Sequence, residues 1–282
     1  MFPRIYIIIL QYNRSQDTIK CLDSVGKLTY PNFQVVVVDN ASESAEKDNI
    51  ISYLTSQPTA SQHDGHVNMT VMLENKKNLG YAGGNNVGIR YALEQGADCV
   101  FILNNDTTIE PDLLDKLVAV AENDPPVGIV GPAIKESSGQ TAYYGKISWL
   151  KPELKHVYQS YPLQGETLNV DNFHSRSHLE CGYLGPKEYV IGAAMLIKRG
   201  VLEKVEGFDE IYFLYFEDAD LCLRAQLAGY KLKIAPEAMI SHQVSSSTSS
   251  LGKPLILRYH MRNALIFNSL NAPWPVRFSL IF

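Results

Sequence analysis

The stretch "FILNNDTTIEPDLL", residues 101–114, decides how the chain is read. Its apolar run stops at Asn104-Asn105-Asp106, and a helix is expected to open near Pro111. One reading makes the polar triplet a turn, because Asn and Asp suit turns and helix N-caps. The other puts Asp106 at the carboxyl end of a buried strand, as a ligand for a divalent metal. The neighbouring segments decide between them.

"CVFIL" (99–103) has three companions: "IYIIIL" (5–10), "VVVVD" (35–39) and "MTVML" (69–73). All four are continuous rather than alternating, the pattern of strands covered on both faces. Helical stripes lie between them. Residues 15–28 place Ile19, Leu22 and Val25 three apart, with Ser15 as the expected N-cap. Residues 85–95 place Ile89 and Leu93 four apart, with Gly96 as the stop. Strand alternating with helix predicts an α/β fold with a mostly parallel central sheet. Ligands of such sheets bind beyond the carboxyl ends of the strands, where both Asp39 and Asp106 fall.

Further along the regularity breaks. Residues 135–187 lack periodicity and read as an insertion or a long site loop. "EYVIGAAMLIKR" (188–199) and "KLKIA" (231–235) are expected strands. Between them Leu221, Ala225 and Ala228 mark a helix ended by Gly229. "SSSTSS" (245–250) reads as a loop, and 254–282 as a helical segment around "LILRYHMRNALIFNSL".

The bulk properties narrow the function. The 282 residues carry 25 basic and 30 acidic side chains, a net charge of −5. Nucleic-acid binding, which usually brings a basic excess, is disfavoured. Cys21, Cys99, Cys181 and Cys222 show no C-x-x-C spacing, so a reducing compartment and no zinc site are expected. The apolar run at 5–10 is too short for a signal peptide or a membrane span. A soluble, cytoplasmic protein is the expectation.

Four polar constellations carry chemistry. Asp39 ends a strand, where its carboxylate either closes a turn or accepts from a base N–H or a ribose hydroxyl. "NLGYAGGNNVGIR" (78–90) either connects tightly to a capped helix or brings backbone amides to a phosphate. It is neither G-x-G-x-x-G nor a Walker loop. Glu217, Asp218 and Asp220 crowd a helix start. They complement its dipole, or they raise one another's pKa as suits a general base. His242 follows a strand, and is a structural imidazole or a further ligand beside Asp106.

In order, these segments resemble the inverting family 2 glycosyltransferases of GT-A fold, in particular the rhamnosyltransferase and galactofuranosyltransferase branch. The carriers are "IIILQYNR" (7–14), "VVVVDNAS" (35–42), "NLGYAGGNNVGI" (78–89), "FILNNDTTIEPDLL" (101–114), "GAAMLIKR" (192–199), "GFDEIYFLYFEDADLCLRA" (207–225), "ISH" (240–242) and "RYHMRNALIF" (258–267). The resemblance implies a Rossmann-like GT-A domain over 1–253. Residues 1–133 would bind the nucleotide-sugar donor and 134–253 would hold the acceptor and the base. By its own composition, with Arg258, His260, Arg262 and Arg277 set among apolar side chains, 254–282 is expected to form a helical segment that rests at a membrane surface, makes a homodimer contact or packs on the catalytic core.

The resemblance also implies roles. Asp39, Gln11 and Tyr12 would line the base pocket. Asn78, Gly80, Gly83, Gly84 and Asn85 would border the donor's ribose and diphosphate. Asn104, Asn105 and Asp106 occupy the family's Asp-x-Asp motif, with Asn104 replacing the first acid. Asp106 and His242 would hold Mn²⁺ or Mg²⁺, Asp218 would be the base, and Glu217 would contact hydroxyls. The implied donor is a dTDP- or UDP-sugar, and the acceptor a glycan or lipid-linked saccharide at the inner face of the cell membrane. Two rivals remain. A sugar nucleotidyltransferase would need glycines in "QYNRSQD", which has none. A non-catalytic sugar-nucleotide or glycan-binding protein would not need the intact "FED".

Overall fold

The computed structural model describes residues 2–56, 62–63, 66–67, 70–149, 153–158, 182–242 and 252–279. The Ser-rich stretch 245–250 and Cys181 lie outside them. The first half reads β1 (Ile5–Gln11), α1 (Ser15–Val25), β2 (Phe33–Asp39), α2 (Ser44–Ser56), a ribbon of β3 (Gln62–His63) and β4 (His66–Val67), then β5 (Thr70–Glu74). There follow α3 (Gly80–Glu94), β6 (Cys99–Asn104), β7 (Thr107–Ile109), α4 (Leu113–Glu122) and β8 (Val127–Glu136). Next come β9 (Thr141–Ala142), β10 (Tyr144–Ser148), β11 (Glu153–Val157), β12 (Glu188–Tyr189) and β13 (Ala194–Lys198). The chain continues with α5 (Arg199–Val205), α6 (Glu217–Leu227), β14 (Lys231–His242), α7 (Lys253–Asn271) and α8 (Trp274–Ser279).

The main sheet runs β5-β2-β1-β6-β13-β8-β14-β7, with β9 paired to β8. The pairs β5–β2, β2–β1, β1–β6 and β8–β14 are parallel; β13, β7 and β9 run against their neighbours. This is the expected mostly parallel sheet. Strands β11-β10-β12 form a second, small sheet.

Why the apolar runs are continuous is visible in β1. Ile5, Ile7 and Ile9 pack into one core with α1 and α4, while Tyr6 and Ile8 pack into another with α3, α6 and α7. Burying one such side chain contributes roughly 1.5–3 kcal/mol, so a one-residue slip in register would be costly.

The structure corrects several boundaries. Helix α3 starts at Gly80, not at residue 85, so the glycine-rich segment is helical itself. Its glycines are packing devices: a Cβ on Gly84 would lie 2.4 Å from Leu10, and one on Gly88 would lie 2.5 Å from Ile8. Ser15 is not the N-cap of α1. Arg14, with φ 56°, precedes the helix, and Ser15 N–H donates to Glu46 Oε2 at 2.6 Å. The run 188–199 splits into β12, β13 and the start of α5, because Gly192 and Ala193 turn the chain between the strands. "KLKIA" is only the start of β14, and the irregular stretch contains β9, β10 and β11. Helix α2 gave no signal, since Ile50 is its only buried residue.

Candidate active site

Strands β1, β2, β6 and β14 deliver their carboxyl ends to one edge of the main sheet. Gln11 and Asp39 are register partners there. Both are buried, and each leaves one polar atom without a hydrogen-bond partner: Gln11 Nε2, a donor, and Asp39 Oδ1, an acceptor. The other atoms are engaged. Asp39 Oδ2 accepts from Ser42 N–H at 3.2 Å, and Gln11 Oε1 accepts from the Thr18 hydroxyl. An unpaired buried donor beside an unpaired buried acceptor is costly unless a ligand supplies the complement. Tyr12 follows, half-buried.

Asn40 organises the next wall. Its Nδ2 donates to Asn78 Oδ1 (2.9 Å) and Gly80 O (3.1 Å). Its Oδ1 accepts from Asn75 Nδ2 (3.1 Å) and Leu79 N–H (2.9 Å). This fixes the entry to α3, where Gly80 has φ 74° and a Cβ would strike Phe213 O at 2.4 Å. Gly83 faces Leu79 and Glu210. Asn85 is buried; it donates to Tyr81 O at 3.0 Å and keeps Oδ1 unpartnered.

The polar triplet that interrupts "FILNND" divides its work. Asn104 closes β6 and donates its N–H to Ala193 O at 2.9 Å. Asn105 turns inward to Thr18 Oγ1 at 2.9 Å, so Asn105, Thr18 and Gln11 form one hydrogen-bonded chain. Asp106, 8% exposed, meets His242 with Oδ1–Nε2 of 3.2 Å. The register brings them together, because His242 pairs with Thr107.

Among the described residues no group of three or more His, Cys, Asp or Glu converges as a ready-made metal cage. Asp106 and His242 nonetheless form a fitting partial set for Mn²⁺ or Mg²⁺. A hard carboxylate oxygen and an imidazole nitrogen are donors such an ion accepts, and the pair would supply part of its ligand set.

Helix α6 opens on Glu217 and Asp218. Asp218, half-buried, accepts from Gly192 N–H (2.9 Å) and Ala219 N–H (2.8 Å). Burial raises its pKa, and the two amides pull it back down. Glu217 is buried with Oε2 unpartnered; burial, and after it the Asp218 charge, hold its pKa well above the ordinary glutamate value. Asp220 belongs to the scaffold. It binds Arg224 Nε at 2.6 Å, and the same guanidinium holds Val205 O and Gly207 O.

Tyr81 joins the two walls. Its hydroxyl donates to Gly192 O at 2.6 Å, on the same residue whose N–H holds Asp218. Burial raises the phenol's pKa, and Glu217, Asp218 and Asp106 push it further. Gly192 thus ties the Tyr81 phenol to the Asp218 carboxylate. Residues 39, 106 and 242 lie at the carboxyl edge of the main sheet, and Asp218, on α6, reaches it through Gly192, whose neighbour Ala193 accepts from Asn104 N–H.

Sequence reasoning missed Thr18, Asn40, Tyr81 and the trio Glu136–His156–Tyr158. Asn40 alone left a trace, directly after the strand-ending Asp39. His156 sits in the stretch without periodicity, where pattern carries no signal.

The profile of Glycosyl transferase family 2 matches residues 6–205. The dTDP-rhamnosyl transferase RfbF of Shigella flexneri is 24% identical over 274 residues, covering 94% of this chain and 80% of that protein. The N-acetylglucosaminyl-diphospho-decaprenol L-rhamnosyltransferase of Mycobacterium tuberculosis is 26% identical over 228 residues, covering 74% and 71%. The chain spans only 22% of a longer protein of Sinorhizobium fredii, y4gI, to which it is 29% identical over 225 residues. In fold it is similar to the mannosyltransferase PcManGT from Pyrobaculum calidifontis, solved with GDP-Man and Mn²⁺. The TM-score is 0.62 at 19% identity, over 99% of this chain and 74% of that one. The fold is thus that of a GT-A glycosyltransferase. The chain belongs to glycosyl transferase family 2.

Proposed function

We propose that the protein moves a hexosyl group, with inversion, from a nucleoside-diphosphate sugar to a hydroxyl of a glycan or lipid-linked saccharide. Rhamnose from dTDP-rhamnose is the favoured donor, by likeness to RfbF, with a UDP-hexose second. The observation that carries this is that Gly192 joins Tyr81 to Asp218, while its neighbour Ala193 accepts from the N–H of Asn104, two residues before Asp106 and its partner His242.

In this reading the orphaned Gln11 Nε2 and Asp39 Oδ1 take a C=O and an N–H of the base, as a thymine or uracil edge presents them. Asn78, Gly80 and Asn85 border the sugar and diphosphate at the start of α3. Asp106 and His242 hold the metal, which when bound offsets charge on the departing diphosphate. Asp218 takes the proton of the acceptor hydroxyl. That oxygen bonds to the anomeric carbon as the bond to the diphosphate breaks, and Asp218 later returns the proton to solvent. Glu217 beside it, with its pKa held up by burial and then by the Asp218 charge, keeps its proton more tightly than an ordinary glutamate.

The terminal helices supply a membrane contact in the same reading. Leu257, Met261 and Leu265 form an exposed stripe on α7, with Trp274 exposed beyond it. Residues 253–282 carry Lys253, Arg258, Arg262 and Arg277 and no acidic side chain, which suits an anionic lipid surface. No described helix is long and apolar enough to cross a membrane. The proposed place of work is the cytoplasmic face.

The test is a thermal-shift and product-release screen with dTDP- and UDP-sugars and Mn²⁺. Binding with release of nucleoside diphosphate supports transfer; tight binding with no release under any acceptor would support a binding protein instead. Asp106→Ala is expected to remove the metal dependence of nucleotide binding, and an unchanged Mn²⁺ titration would take Asp106 out of the site.

A further inference from the structure

We propose that His156, held by Glu136 and Tyr158, binds the hydroxyl nucleophile, whether of a sugar acceptor or of water, on the side of the cleft facing Asp218. This rests on the transferase reading and names the acceptor-side group that reading lacks.

The small sheet fixes where His156 stands. Gly145, on the central strand β10, pairs with His156 on β11 and with Tyr189 on β12. Residues directly opposite one another share a face of a sheet. A Cβ on Gly145 would lie 2.0 Å from the Tyr189 ring, so that ring lies across the glycine toward β11. This face is turned toward α6. Tyr189 is buried in the core that α6 shares, and the carbonyl of the next residue, Val190, accepts from Cys222 Sγ on α6. Gly192, three residues after Tyr189, gives its N–H to Asp218.

Glu136 anchors the imidazole from the metal side. It ends β8 as the register partner of His242. Its Oε1 lies 3.0 Å from His156 Nδ1, and both its oxygens accept from Tyr158 Oη at 3.2 Å. The Glu136 side chain is 10% exposed and that of His156 34%. With Nδ1 engaged, Nε2 is the ring atom left to a ligand. It donates or accepts according to tautomer, as a hydroxyl needs. A nucleophile between His156 and Asp218 would be oriented from one side and deprotonated from the other, which is the gain that positioning provides.

The test compares His156→Gln, His156→Asn and Glu136→Gln in the full chain. The Gln amide reaches the place of Nε2, whereas the Asn amide reaches only that of Nδ1. Nucleoside diphosphate release from dTDP- and UDP-sugars with Mn²⁺ is read with water alone and with octyl β-N-acetylglucosaminide. UDP and dTDP affinity is read by calorimetry. The Asn variant should lose about 10-fold or more in release, with nucleotide affinity kept within about twofold. The Gln variant should retain most of the activity, and Glu136→Gln should fall between. Wild-type release by the Asn variant would overturn the proposal. So would equal losses in Asn and Gln variants together with weakened nucleotide binding, the mark of a structural role. A wild-type protein that neither binds nor turns over these nucleotides would remove the transferase reading itself.

Discussion

Glu217 and Asp218 are adjacent in sequence, yet their surroundings assign them different states. Asp218 has two amide donors and a partly open position; Glu217 is buried with an oxygen unmatched. Asp218→Asn should lower turnover by roughly 10²–10⁴ while nucleotide affinity survives. Near-normal turnover would dismiss it as the base. Because its pKa is raised, the acid limb of the rate profile should lie above the usual aspartate value. Glu217 makes a thermodynamic prediction. Its raised pKa means the folded state holds the proton more tightly than the unfolded chain. Its contribution to stability is therefore full below the unfolded value and lost as pH rises through the folded one. Glu217→Gln should raise stability near neutrality by about 1 kcal/mol or more, and change little near pH 4. Melting curves at the two pH values read the difference, and equal shifts at both would refute it. The sequence displayed this pair, but not Asp220's attachment to Arg224, because a carboxylate cluster does not state which member has an i+4 partner.

At the scale of elements, α3 shows what pattern can and cannot reveal. Four glycines and three asparagines before an apolar stripe looked like a loop, since glycine is a poor helix former. Tertiary packing overrides that propensity. Gly84 and Gly88 let the helix lie directly on β1, and Gly88 also touches Val38 at 3.1 Å from an added Cβ. Gly88→Ala should therefore destabilise by about 1–3 kcal/mol despite its better helix propensity. Chemical denaturation measures this, and a stabilised variant would show that the sheet can yield. Strands β1, β2 and β6 were legible because each is buried on both sides. Strand β5, equally apolar in sequence, is the half-buried edge strand and corrects the expectation of double burial there. Helix α2, buried only at Ile50, was not legible. The small sheet was hidden for another reason: its strands are only two to five residues long, and the buried face of β10 offers a glycine and one isoleucine, too little apolar signal for its alternation to be read.

Over the whole molecule, the parallel half was readable from apolar runs, as were the places of residues 39 and 242 at strand ends, 106 just past one, and 218 at a helix start. What could not be read was how α7 braces the segment that leads into α6. The inner face of α7 carries Asn263, Ala264, Phe267 and Asn268, all buried. Its outer face predicts that the protein floats with anionic but not with zwitterionic vesicles, and that Leu257→Glu with Met261→Glu abolishes flotation. Flotation unchanged by that pair would end the lipid assignment, and a dimer that dissociates with it would reassign the stripe.

Asn263 Nδ2 donates to Tyr212 O (2.6 Å), Leu214 O (2.7 Å) and Tyr215 O (3.0 Å). Between those carbonyls and the two carboxylates, Phe213, Tyr215 and Phe216 all hold positive φ, a conformation bulky residues seldom keep unaided. Anyone trimming the gene at residue 252 to obtain a tidier catalytic core would thus remove the keystone rather than a tail. The shortened product should still present its base pocket, yet point its acid residues in no fixed direction.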